Sequence, residues 1–186
     1  MIESLVDLDG ARVADLFAGS GALGIEALSR GAASAVFVDR SAEALRAVRS
    51  NLAAVGLEDK AVGIVRDEVL AWLGRSKGTD AAGTDKVPGG AGRFDLVLCD
   101  PPYAFRAWGE LLGRVDADLA VLESDHPIEV PVGWKVIKNK RYGGTLVTVV
   151  RASGTQPSGD SDCGGGVAGH IAGSRTTSET KQRGTP

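Results

Sequence analysis

Cysteine and histidine are scarce in this chain, with two of each among 186 residues. Cys99 lies in an apolar run and Cys163 in a glycine-rich tail, settings too different for a disulfide framework or a thiolate metal site. Both read as reduced thiols. His126 and His170 fall in segments of turn or tail character, where a histidine is more often structural or solvated than a ligand, so neither takes a catalytic role and no metal is expected. Long apolar runs are missing too: nothing approaches the roughly 18 residues of a membrane span. The opening Met1-Ile2-Glu3-Ser4-Leu5 lacks the basic segment and apolar run of a leader. A soluble, cytoplasmic, monomeric protein without a membrane partner is expected. Positive charge is also short. A formal net charge of -3 excludes a protein that coats nucleic acid non-specifically, because phosphate neutralisation needs a surplus of Lys and Arg on the contact face. It leaves room for a local patch, and Lys135, Lys138, Lys140 and Arg141 form a candidate that reads equally as a solvated hairpin edge.

What is present is a regular alternation. From Arg12 to about Val150, short β-branched runs alternate with longer helical stretches, the pattern of βαβ units and a mainly parallel sheet in an α/β domain. Strands are predicted at Arg12–Leu16, Ala35–Asp39, Val62–Arg66, Phe94–Cys99, Leu119–Glu123, Trp134–Lys138 and Thr145–Val150, each apolar enough to be covered on both faces. A first helix starts near Gly21 and ends at Arg30 before Gly31. A second is capped by Ser41, carries Ala44, Leu45, Val48 and Leu52 at helical spacing, and stops at Gly56. A third, short helix covers Glu68–Leu73. Residues 1–151 therefore make one domain. Within it, Gly74–Arg93 reads as a flexible surface loop, and from Ala152 to Pro186 the Gly-, Ser- and Thr-rich composition predicts a disordered tail.

The segment Asp15-Leu16-Phe17-Ala18-Gly19-Ser20-Gly21-Ala22-Leu23-Gly24 ends one strand and opens a helix. Gly19 and Gly21 let the backbone turn sharply and approach a ligand, while the helix amino terminus directs N–H donors at an anionic group. Gly19 to Gly24 also match the G-x-G-x-x-G pattern of dinucleotide-binding folds, a weak signal alone. Asp39 closes the second strand, where a carboxylate accepts the hydroxyls of a ribose. Asp67 follows the third strand, and a cap for the next helix and an acceptor for an adenine amine are equally good readings of it.

The segment Phe94-Asp95-Leu96-Val97-Leu98-Cys99-Asp100-Pro101-Pro102-Tyr103 is more specific. An apolar strand delivers Asp100 to the sheet's carboxyl edge. Two successive prolines then remove two backbone donors and leave a loop that presents acceptors. Asp100 and the Pro101 carbonyl suit the two N–H bonds of an exocyclic amine, and Tyr103 suits stacking on a base.

These motifs resemble a known family. Asp15 to Gly21 look like the S-adenosylmethionine (SAM) loop of class I methyltransferases, and Asp100-Pro101-Pro102-Tyr103 looks like the motif of their amino-methylating branch. The longer string from Asp15 to Ala32 is similar to the bacterial RsmD-type enzymes, which methylate N2 of a guanine in 16S ribosomal RNA of the small subunit. The resemblance covers roughly residues 1 to 150. It implies a Rossmann-like, doubly wound sheet of seven strands, mainly parallel, with an antiparallel last strand. It implies SAM as cofactor, with Asp15, Phe17, Gly19, Ser20, Gly21, Asp39, Arg40, Asp67 and Glu68 as its candidate contacts. Asp100, Pro101, Pro102 and Tyr103 would hold the guanine, and Glu123-Ser124-Asp125 falls where the family carries acidic residues beside the active site. The chain departs from the family pattern at its start, where the basic amino-terminal hairpin and most of the following helix are expected to be missing. Three other readings stay open: an adenine-N6 methyltransferase on DNA or RNA, a non-catalytic SAM-binding or ribosome-assembly protein, and a nicotinamide-dependent reductase, which leaves Asp100 to Tyr103 unexplained.

Overall fold

Val13, Ala14 and Leu16 are almost completely buried, and a strand of such residues has no solvated face, so both of its sides must be covered. In the computed structural model, which describes residues 8–75 and 92–154, this strand lies inside the sheet with a strand on either side. The elements run β1 (Arg12–Leu16), α1 (Ala22–Ser29), β2 (Ser34–Asp39), α2 (Ala42–Val55), a 3-10 turn (Glu58–Lys60), β3 (Ala61–Arg66), α3 (Val69–Arg75), β4 (Phe94–Cys99), α4 (Trp108–Arg114), β5 (Ala117–Ser124), β6 (Trp134–Tyr142) and β7 (Thr145–Ala152). The strand order is β3-β2-β1-β4-β5-β7-β6. Five strands are parallel, and β7 runs antiparallel to both of its neighbours.

Two apolar layers cover the sheet. On one face, Ala27 and Leu28 of α1 and Leu45, Val48 and Leu52 of α2 pack with Val13 and Phe37. On the other, Trp72 of α3 and Leu111 and Leu112 of α4 pack with Leu16, Val36 and Val38. Ser41 caps α2 by accepting from the Ala44 N–H, and Gly56 closes it in the left-handed conformation. Among the described residues no helix is long and apolar enough to cross a membrane.

The structure differs from the sequence reading in four places. α3 runs through Gly74 to Arg75, past the expected start of the loop, because Trp72 and Leu73 anchor it in the core. A fourth helix, α4, stands beyond the three bounded from sequence; Trp108, Leu111 and Leu112 recur at helical spacing and are buried. β5, β6 and β7 are longer than predicted, and β7 takes in Ala152, the first residue of the predicted tail, while the Ser153 N–H donates to the Gly133 carbonyl at 2.8 Å. β6 is not covered on both faces: it ends the sheet, and most of its residues are exposed. The rest of the predicted loop, residues 76–91, and the predicted tail from residue 155 onward, with Cys163 and His170, lie outside the described residues.

Candidate functional site

The parallel register brings the candidate residues to one edge. Leu16 is level with Val38 on one side and Cys99 on the other, and Cys99 is level with Leu122. One step further along each strand, Asp39, Phe17, Asp100 and Glu123 form a row across four strands. The row straddles the point between β1 and β4 where the order of winding reverses, the place where open α/β sheets bind ligands. A cavity of about 580 Å³ opens there, lined by Phe17, Asp39, Arg40, Asp67, Glu68 and Val69 and by the whole segment from Asp100 to Phe105. This is the size of a small-molecule site.

The loop after β1 is held rather than loose. Phe17 adopts a positive φ of 63°, which is uncommon for a bulky residue and marks a backbone fixed by its surroundings. Its ring meets Phe105 edge to face at 5.2 Å, and Phe105 meets Trp108 the same way at 5.0 Å. Gly19 (φ 53°) faces open space, since an added Cβ would find nothing nearer than 4.0 Å. A ligand can therefore approach the backbone there. Its N–H donates to Asp39 Oδ2 at 2.9 Å, while the Ser41 N–H donates to Asp39 Oδ1 at 2.7 Å. The Ser20 carbonyl accepts from Asn51 Nδ2 at 2.9 Å.

Asp15 lies behind this loop, almost fully buried, and its carboxylate accepts from the Gly24 N–H at 2.9 Å. Burial pushes its pKa up to about 7; the Gly24 bond opposes that rise, and the charges of Asp100 and Asp39 add to it. Asp67 accepts from the Glu68 N–H at 2.8 Å and pairs with Arg75, while Glu68 accepts from the Ala71 N–H at 2.8 Å. Glu68 is thus the side chain that caps α3, and Asp67 faces the cavity.

Beyond β4, Asp100 stands at the cavity mouth, and partial burial raises its pKa. Glu123 is raised by its own burial and then by the charge of Asp100. Tyr103 is 65% exposed, which leaves its ring face open for stacking. The Phe105 N–H closes a turn onto the Pro102 carbonyl at 2.8 Å, and Arg106 donates to the Tyr103 and Phe105 carbonyls. Val69, Ala104 and Phe105 line the cavity although the sequence did not mark them, because their roles depend on which strand ends become neighbours. Ser124 and Asp125 serve the adjoining loop, where Ser124 donates to the His126 carbonyl at 2.6 Å and Asp125 bonds His126 Nδ1 at 2.5 Å.

The chemistry of the walls fits a nucleoside cofactor. The Asp39 and Asp67 carboxylates are acceptors for donor-rich groups, and each oxygen keeps lone-pair capacity beyond the bonds described.

Comparison with known proteins agrees with this geometry. Residues 1–151 match the model of the family described as Conserved hypothetical protein 95. The chain is 36% identical over 156 residues to the Bacillus subtilis protein named "Putative rRNA methyltransferase YlbH", covering 78% of each chain. It is 28% identical over 138 residues to "Ribosomal RNA small subunit methyltransferase D" of Haemophilus influenzae, covering 69% of this chain and 65% of that protein, so it spans just under two thirds of that relative's length. The solved structure of "Putative methyltransferase yhhF" from Escherichia coli superposes with a TM-score of 0.64 at 25% identity, over 81% of this chain and 79% of that one. With the motifs, the sheet order and the family model in agreement, the chain belongs to the Conserved hypothetical protein 95 family of RsmD-like methyltransferases and has the class I methyltransferase fold.

Proposed function

We propose that this protein transfers a methyl group from SAM to the exocyclic N2 amine of a guanine in 16S ribosomal RNA of the small subunit. One observation carries the reading: the strand ends of a nucleoside site, Asp39 and Asp67, and the acceptor loop from Asp100 to Tyr103 open on the same cavity. The names of the relatives, ribosomal RNA methyltransferases of the small subunit among them, support RNA as the substrate class.

In this reading Asp39 accepts from the ribose hydroxyls, Asp67 from the adenine amine, and the backbone around Gly19 meets the methionine portion. Phe17, Arg40 and Glu68 complete the cofactor wall, Ser20 and Gly21 carry the glycine loop on from Gly19 outside the cavity lining, and Asp15 holds the loop from behind. When bound, SAM supplies an electrophilic methyl group on a sulfonium. Asp100 and the Pro101 carbonyl accept the two N–H bonds of the guanine amine and aim its lone pair, while Tyr103 stacks on the base and Pro102 stiffens the loop. A guanine amine is a poor nucleophile because its lone pair is delocalised into the ring, so holding it in line contributes a large part of the rate. As the nitrogen turns cationic it sheds a proton, and the raised pKa of Asp100 suits that carboxylate to receive it.

The experiment is transfer of radiolabelled methyl from SAM to 30S particles of a strain lacking the corresponding activity, with nucleoside analysis of the product. N2-methylguanosine in 16S RNA is the expected result. N6-methyladenosine, or label in large-subunit RNA, would overturn the assignment.

A further inference from the structure

β6 carries Lys135, Lys138, Lys140 and Arg141 within seven residues, in a chain whose formal net charge is -3. Simple alternation along a strand would put Lys135 on the opposite face from Lys138 and Lys140. The sheet register decides otherwise. Lys135 pairs with Arg151, Lys138 with Val149, Lys140 with Val147 and Tyr142 with Thr145, and a register shift between Val136 and Lys138 absorbs Ile137 as an extra residue. Directly paired residues share a face, and the partners on β7 are spaced two apart, so Lys135, Lys138, Lys140, Tyr142 and Arg151 all lie on one face. It is the face covered elsewhere by α1 and α2, because Val147 and Val149 belong to that core.

The stripe is open and leads to the site. β6 ends the strand order, and Lys135, Lys140 and Tyr142 are exposed, with Lys138 half-buried. None of these lysines forms an ion pair with a described residue. The Lys140 ammonium lies 4.8 Å from the centre of the Tyr142 ring. Glu123 is level with Val147, and Val147 with Lys140, so the row that contains Asp100 ends at Lys140. Three strand spacings separate them, about 14 Å between backbones. From there the stripe runs back toward Lys135 for roughly 15 Å. Lysines along an edge oppose the addition of another strand, and an uncompensated cationic row with an open aromatic suits a polyanion that carries bases.

We infer that the β6 edge binds the phosphate backbone of the RNA that flanks the modified base, with Lys135, Lys138, Lys140 and Arg151 on phosphates and Tyr142 stacking on an unpaired base. The inference rests on the proposed function only in taking RNA as the substrate.

The test is binding of the full chain to a fluorescein-labelled 20-nucleotide RNA hairpin, followed by anisotropy from 50 to 300 mM salt. The variant K135Q/K138Q/K140Q should lose roughly a hundredfold in affinity at 0.1 M salt, and its salt slope should shrink by about 2, at about 0.7 per cation lost. A control away from the stripe, R46Q on α2 with K60Q beside the opposite edge strand β3, should stay within about threefold of the parent, and both variants should keep the parent's SAM affinity by calorimetry. K140E alone, at an exposed position, gives a second reading if the triple variant melts early. An unchanged slope, an equal loss in the control, or a parent that binds SAM but not the hairpin overturns the stripe. So does a parent dimer that the triple variant splits, which would make the edge a self-interface. Stripe-dependent RNA binding without any SAM binding would overturn the proposed function and leave the stripe standing.

Discussion

The Gly19 N–H donates to Asp39 Oδ2 at 2.9 Å, joining the glycine loop after β1 to the carboxyl end of β2 across twenty residues of chain. The same carboxylate that would meet the ribose therefore also shapes the loop that would meet the methionine portion. Asp39→Ala removes both contributions, and a lost charge-assisted partner costs about 1–3 kcal/mol. The dissociation constant for SAM should rise roughly five- to 150-fold by calorimetry. An unchanged constant would take Asp39 out of the cofactor site.

Asp15 links stability to pH. Its folded-state pKa of about 7 lies above the 3.8 of the free side chain, so the folded form binds this proton more tightly than the unfolded chain. That contribution is fully present below about pH 3.8 and is lost as pH rises to about 7. At about 1.4 kcal/mol per unit, the loss amounts to a few kcal/mol. Asp15→Asn cannot titrate, so its unfolding free energy relative to the parent should climb by that amount between pH 4 and pH 8. Urea melts at the two ends measure it, and a flat difference would show that the ionised form costs nothing here.

Gly24 is set by packing, not by backbone conformation. A Cβ on it would lie 2.4 Å from the Phe37 ring and 3.0 Å from Asp15 Oδ2. Phe37 is fully buried and has nowhere to retreat. Gly24→Ala should therefore destabilise the fold by about 1–3 kcal/mol, the usual cost of overpacking a core. A melting temperature equal to the parent's would mean that α1 shifts freely against the sheet.

Asp100 separates chemistry from cofactor binding, since it follows β4 while the cofactor loops follow β1, β2 and β3. In the proposed reaction Asp100→Ala should slow methyl transfer about a hundred- to a thousandfold, by analogy with the loss of one transition-state hydrogen bond. SAM affinity should stay within about threefold. Retention of most activity would remove Asp100 from the catalytic assignment.

The sequence by itself determined the positions of the strands, the capped helix α2 and the acidic residues at the strand ends. Strand composition, the Ser41 cap and the Gly56 stop are local matters of side-chain shape and backbone freedom. Asp100-Pro101-Pro102-Tyr103 was legible for the same reason, because two prolines remove donors wherever the segment goes. Only the tertiary structure decided what depends on register and on neighbours distant in the chain. It assigned the capping of α3 to Glu68, buried Asp15 beneath the loop, and joined Phe17 to Phe105 across β1 and β4. It also turned Lys135 onto the face of Lys138 and Lys140, since one extra residue in a strand reverses every side chain beyond it, and no local sequence signal says which pairing the sheet adopts.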